Sequence, residues 1–383
     1  MAAIRSLTTW LALMVFSAAS SSGIASPQPD PQTVVYTLDT SASQLLRTED
    51  IAAKAGQIHQ WQEARQQLQR YLHLAQQYSS SRYAGFGIEM YKNIAESYRR
   101  HPHVQLVYAD LLQYSHDFDS AVLHLEQLAQ SASIRTQVQL RLFTIHLIQG
   151  DLAGAQQACS ALSEEGSLVI PLICKSWLAG LTGSASKSVA LLSRLMSTLP
   201  ADSRFKNWAQ DALIDLHLKN GDTEKAMAIF EDNFPGPDAD KNSAQQYAGD
   251  FATGKMLVDC LIFAARYNQA ARILHILPKR DPFIIRQTIV NAARAQNAGP
   301  ANTNLALQAQ QLIDFYKVSE DPSHYYDIAL WYAFKVNDPP QAWKYAQLNW
   351  ERFKYITDLQ LMKKIAPSVN KRVPPSTLNL VSR

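Results

Sequence analysis

Cys159 and Cys174 are the pair of residues in this chain whose type and spacing most directly suggest chemistry. Two readings stand for them. An oxidising compartment would let them form a disulfide, provided their Cα atoms lie roughly 4.4–6.8 Å apart. Otherwise they are two buried thiols acting as small hydrophobes. A metal site is not indicated, because no CxxC and no neighbouring histidine accompanies them. Cys260, in Val258-Asp259-Cys260-Leu261-Ile262, reads as a buried thiol in an apolar helix.

The remaining candidates are weaker. His101-Pro102-His103 has two imidazoles at i, i+2, but no carboxylate completes a metal set, and the pair sits where a polar turn is expected. His116-Asp117 looks like part of a catalytic triad, yet it also fits a turn followed by a helix cap. Glu164-Glu165 reads as a solvated helix end, and Gly180…Gly183 as a turn. The phosphate-loop, dinucleotide, zinc-protease and serine-hydrolase motifs are all absent from the sequence. The expectation is therefore no catalytic residues, no metal and no cofactor. A net charge of +3 over 383 residues gives no sign of a nucleic-acid groove. Aromatic residues crowd the last sixty positions, from Tyr325, Tyr326, Trp331 and Tyr332 to Trp343, Tyr345, Trp350, Phe353 and Tyr355. Such a cluster serves either as a ligand platform or as core filling at the end of a stack.

The elements that must position these residues are helices. Only 14 glycines interrupt a chain rich in Ala, Leu and Gln, and apolar residues recur at spacings of three and four. A turn followed five residues later by a small residue recurs along the chain. His116 precedes Ala121, Gly150 precedes Ala155, Gly221 precedes Ala226, and Asn337 precedes Ala342. Gly87, Ala190, Ala271 and Ala306 fill the gaps. The series 87, 121, 155, 190, 226, 271, 306, 342 has intervals of 34, 34, 35, 36, 45, 35 and 36. Each unit reads as helix, tight turn and second helix, with a small residue where the two backbones meet.

That period, together with Asn220-Gly221-Asp222-Thr223-Glu224-Lys225-Ala226 and Phe230, resembles the tetratricopeptide repeat. The usual Trp and Gly of the first helix are mostly missing. The wider order of motifs is similar to that of a group of exported bacterial tetratricopeptide proteins. It runs from Arg82-Tyr83-Ala84-Gly85-Phe86 through His116-Asp117, Gly150, Cys159, Cys174 and Gly183 to Asp338, Ala342, Ala346, Asn349-Trp350 and Asp358. The resemblance covers nearly all of the mature chain. It implies fold and export and supplies no catalytic residue.

The expected architecture is all-α: a right-handed superhelical solenoid of about eight degenerate hairpins over residues 47–366. Residues 1–25 read as a signal peptide, with Arg5, a short apolar run at 10–16 and cleavage after Ala25. This places the mature chain outside the cytoplasm, in the periplasm if the source is Gram-negative. Residues 26–46 read as an extended linker, 234–246 as an insertion loop and 367–383 as a flexible tail. No segment after the signal reaches the length of a membrane helix. The expected function is a non-catalytic adaptor that holds a protein or peptide partner in the concave groove. First-helix residues assigned to that groove are Gln105, Tyr108, Gln137, Gln139, Arg141, Trp208, Asp211 and Asp215. The alternative is a helical-repeat enzyme or small-ligand carrier with its site near 234–246 or in the C-terminal aromatic cluster.

Overall fold

The computed structural model describes residues 48–78, 81–163, 168–183, 185–200, 203–233, 251–277, 280–295, 303–320 and 322–373. The expected signal peptide, the linker, the 234–246 loop, Glu164-Glu165 and residues 374–383 of the tail lie outside these.

The described residues are all-helical, with no strand among them. The α-helices are α1 (Thr48–Gly56), α2 (Trp61–Tyr78), α3 (Ser81–Asn93), α4 (Glu96–Arg99), α5 (Pro102–Tyr114), α6 (Phe118–Leu128) and α7 (Arg135–Gln149). They continue with α8 (Leu152–Leu162), α9 (Val169–Thr182), α10 (Ala185–Thr198), α11 (Arg204–Asn220), α12 (Thr223–Asn233) and α13 (Phe251–Phe263). The last six are α14 (Tyr267–Ile276), α15 (Asp281–Ala295), α16 (Thr303–Ser319), α17 (Tyr325–Trp331), α18 (Pro339–Arg352) and α19 (Ile356–Ile365). Neighbouring helices pack in pairs: α2 with α3, α5 with α6, and so on to α17 with α18.

The turns explain the pairing. His116, Gly150, Gly221, Ala265 and Asn337 all adopt positive φ, between 57° and 81°. This left-handed residue ends one helix and redirects the chain into the next. The residue after it often caps the second helix. Asp151 accepts the Gly154 N–H at 3.0 Å, and Asp338 accepts that of Gln341 at 3.1 Å. Five residues beyond each turn lies an alanine with no exposed surface: Ala121, Ala155, Ala226, Ala270 and Ala342. A larger side chain there would push the paired helices apart.

Three of the gap-filling positions need correction. Ala190 is exposed, and Ala271 and Ala306 are only half-buried. The buried small residues in those units are Ser188, Ala270 and Ala309. Even spacing alone misplaced them. Ala265 holds its turn without glycine, so the unit's register is set by that left-handed alanine. Gly87 is placed as expected: a Cβ there would lie 2.8 Å from Leu111 on α5.

Two turns share a staple that the period search missed. His146-Leu147-Ile148-Gln149-Gly150-Asp151 and His217-Leu218-Lys219-Asn220-Gly221-Asp222 each place an imidazole Nδ1 near the cap carboxylate, at 2.8 and 3.7 Å. Lys219 adds a second clamp, donating to the carbonyls of Gly180 at 2.9 Å and Gly183 at 3.2 Å across to α9.

Cys159 on α8 and Cys174 on α9 form a disulfide with Cα atoms 5.9 Å apart, both fully buried. Cys260 is a buried free thiol. The bridge closes a 15-residue separation, which by chain entropy stabilises by about 3 kcal/mol. Unfolding without reductant should therefore let an alkylating reagent label Cys260 alone. Labelling of all three cysteines under those conditions would exclude the bridge.

The chain then returns across itself. Phe353, just past α18, packs against the rings of His116 and Phe118 at 5.2 and 6.1 Å. The Lys354 N–H donates to the Ile148 carbonyl at 2.8 Å. From there α19 packs on α11 and α13, and the Gln360 amide donates to the Leu218 carbonyl. Arg280, at the start of α15, reaches the Gln76 carbonyl of α2 at 3.1 Å. Apolar side chains at these junctions hold the return: Phe353 belongs to the core of the central helices, not to that of the C-terminal ones. The expected loose tail begins as a 3₁₀ turn, Ala366–Val369, and Val369 and Val373 pack on the C-terminal core. Among the described residues no helix is long and apolar enough to cross a membrane.

Candidate functional site

Three of the eight residues assigned to an open groove are not at a surface. Gln139, Arg141 and Trp208 are buried. The Arg141 guanidinium pairs in a fork with the Asp110 carboxylate, Nη2 to Oδ2 at 2.8 Å, so its charge is already matched. Trp208 sits in an aromatic core with Phe143 and Trp177, at 5.8 and 6.4 Å between ring centres. Tyr108 is half-buried and stacks on Tyr91 at 3.6 Å. Gln105 and Asp211 are half-buried, and Gln137 lines a shallow pocket with Ile134, Leu140, Ile170 and Phe205. The correction has a simple cause. First helices of adjacent pairs pack on one another, as α9 does on α11, and this covers faces that a lone helix would expose.

The other sequence candidates are accounted for by packing. His101 and His103 stack on Trp61, at 3.7 and 5.6 Å. Among the described residues no group of three or more His, Cys, Asp or Glu is arranged to hold a metal. In the aromatic cluster, Tyr326, Trp331, Trp343, Trp350 and Phe353 are buried, whereas Tyr325, Tyr332 and Tyr345 form a half-exposed ring stack.

A different constellation lies where the chain closes. Its foundation is Arg286 on α15, whose side chain is fully buried. Arg286 donates to both oxygens of Asp259 on α13, at 2.6 and 2.8 Å. It also donates to Asp327 on α17 at 2.8 Å and to the Pro282 carbonyl at 2.9 Å. The Tyr326 hydroxyl donates to Asp259 at 3.0 Å. These bonds satisfy the guanidinium, and fully paired buried charges of this kind fix neighbouring helices in one arrangement.

Lys255, one turn before Asp259 on α13, is held differently. Its ammonium lies 3.9 Å from Asp327 and 5.0 Å from the centre of the Tyr326 ring. No described residue accepts a hydrogen bond from it. Its side chain retains 14% exposure, although helices surround it. An ammonium without acceptors is costly unless water or a ligand supplies them. Lys255 thus carries three donors that no described residue accepts, beside Asp327 and the Tyr326 ring.

Four more titratable groups act on this interior. They come from elements far apart in sequence: His116 from the α5–α6 turn, Asp281 from α15, His324 from the 3₁₀ turn Pro322–His324, and Asp358 from α19. Burial, with Lys255 acting in the same direction, pushes both imidazoles down to about 3, at His324 against the attraction of Asp327, so both are neutral at pH 7. Burial lifts Asp358 to about 7, against its hydrogen bond from the Tyr355 N–H and the attraction of Lys255. Burial and Asp327 together lift Asp281 to about 6. Burial disfavours the charge on Asp327, but Lys255 and Arg286 outweigh it and hold that carboxyl low. Burial also lowers Lys255, opposed by Asp327. Asp215, assigned to the groove, is instead a packed carboxyl raised to about 7 by burial, with the Trp177 indole opposing.

Asp358 gives a pH prediction. Its pKa in the folded chain exceeds the unfolded value near 3.8, so the folded state holds the proton more tightly. Its contribution to stability therefore falls as pH rises from about 4 to 7. The neutral histidines act oppositely between about 3 and 6.5. Asp358→Asn removes only the carboxyl titration. Relative to the parent, the variant should gain stability across pH 4 to 7 in urea unfolding. A pH-independent difference would show that Asp358 is not raised.

No protein-family model matches the chain, and no curated protein matches its sequence. The sequence did carry a signal for this site. Arg286 interrupts Phe283-Ile284-Ile285-Arg286-Gln287-Thr288-Ile289-Val290, and Asp259 interrupts an equally apolar run. Charges at core positions of apolar helices demand partners.

Proposed function

We propose that this chain is an exported helical-repeat protein that binds a small polar ligand in its interior, without turnover. Its eight helix pairs are read as a tetratricopeptide-like solenoid whose concave side is closed by its own C-terminal helix, α19. The export part of the reading rests on the sequence features up to Ala25. The ligand part rests on one observation: the Lys255 ammonium, partly accessible, has Asp327 at 3.9 Å and no hydrogen-bond acceptor among the described residues. Binding sites of this kind combine a mostly apolar frame with a few convergent polar groups. The packing of α19 on α11 and α13 supports an internal ligand over an extended peptide, because on the solenoid reading these are first helices and α19 covers part of the face a peptide would need.

Native mass spectrometry of the purified chain tests the proposal. A small-molecule mass that is released on denaturation and absent from Lys255→Met would support it. A ligand mass retained equally by both proteins would refute the Lys255 site.

The adaptor reading keeps one supporting observation. Leu307, Phe315 and Val318 are exposed at i, i+8 and i+11, along one face of α16. A partner would then dock on that outer face. Phe315→Asp should abolish recovery of such a partner and leave the internal ligand in place.

A further inference from the structure

We infer that the ligand at Lys255 is neutral and rich in hydroxyl groups, a polyol or sugar in chemical class; this rests on the interior-site reading above. Charge and hydrogen-bond accounting carry the argument. Two fixed cations, Arg286 and Lys255, face two fixed carboxylates, Asp259 and Asp327. The core of the site is therefore balanced before anything binds. Asp358 and Asp281 add negative charge as they ionise, and Lys354 is a further cation acting on Asp358. His116 and His324, which interact electrostatically with Lys255 from the α5–α6 turn and the 3₁₀ turn, bring no charge near neutrality.

An anion entering here would add to the carboxylates. A cation would meet Lys255, and would find Asp259 and one oxygen of Asp327 already taken by Arg286 at 2.6–2.8 Å. The other oxygen, Asp327 Oδ2, is buried and accepts no hydrogen bond from the described residues. The unmet needs are thus donors without acceptors on Lys255 and an acceptor without a donor on Asp327. A hydroxyl meets both, because it accepts from the ammonium and donates to the carboxylate. Several hydroxyls on one small frame meet both at once and leave the charge balance intact.

Saturation-transfer NMR on the full chain separates the classes. The probes are myo-inositol and D-glucose as neutral polyols, succinate as anion and putrescine as cation, each with the parent, Lys255→Met and Asp358→Asn. Transfer to a polyol that disappears in Lys255→Met is the expected result. Lys255→Met should also gain transfer to putrescine, because its interior carries one positive charge fewer. If Lys255→Met fails to give a native circular-dichroism spectrum, Asp358→Asn decides: polyol transfer should persist there, because a neutral ligand is indifferent to that charge, and loss of polyol transfer or new transfer to succinate alone would overturn the inference. Lys255-dependent transfer to succinate or putrescine in the parent would overturn this inference and leave the interior-site reading standing. No Lys255-dependent transfer from any probe would overturn both.

Discussion

Arg286→Ala should cost about 3–5 kcal/mol of stability, the largest loss expected from any single charged residue in the chain. The guanidinium is the shared partner of Asp259 and Asp327, and both carboxylates are buried. Removing it leaves two negative charges in a low-dielectric interior with only Lys255 nearby. The loss comes less from the missing attraction than from the uncompensated charges left behind. A triple change, Arg286→Met with Asp259→Asn and Asp327→Asn, should therefore recover most of the stability that Arg286→Met alone loses. Urea unfolding of the four proteins checks this. A single-variant loss below about 1 kcal/mol, the range of exposed pairs, would mean that the network is solvated.

The second large effect is expected at Phe353. Its ring is buried in the core of the central helices although it lies beyond α18. Phe353→Ala removes the anchor by which the C-terminal segment returns across the chain. Burial of a ring this size is worth about 3–5 kcal/mol. The loss should be local in its first stage: the Lys354 amide, bonded to Ile148, and the amides of α19 should exchange hydrogen faster than those of α7. Tyr345→Ala, on the half-exposed side of α18, serves as the control and should leave that exchange unchanged. Equal acceleration throughout the molecule would mean that the return is not a separable element.

These two residues also mark what was legible in the sequence. Helix pairs, their turns and the small residues between them follow from local chemistry: a left-handed turn residue, a cap and a buried alanine five positions on. His116, Gly150, Gly221 and Asn337 were readable for that reason. Ala265 was not, because nothing in an alanine advertises positive φ, and the neighbouring unit slipped by one residue to Ala271. Cys159 and Cys174 were readable as a pair because consecutive helices must touch. The interior site was not, since it joins His116, Lys255, Arg286, Asp327 and Asp358, whose proximity depends on how the whole chain closes. Arg141 and Trp208 were assigned to a groove on the same local reasoning, and packing between first helices placed them in the core. Only the isolated charges in apolar runs, at Asp259 and Arg286, gave notice from the sequence that a buried network existed.

The most direct measurement is competitive labelling of lysines with an amine-specific reagent, followed by peptide mapping across pH. Lys225, whose side chain is 67% exposed, provides the surface reference. An accessible interior predicts that Lys255 reacts more slowly than Lys225 yet measurably in the folded chain, with a midpoint shifted below that of an ordinary lysine. It also predicts that a bound ligand suppresses the reaction at Lys255 and leaves Lys225 unchanged. Complete inertness of Lys255 until global unfolding would make it a sealed structural ion, and reactivity equal to that of Lys225 would make the interior an open groove; either result would contradict the proposed site.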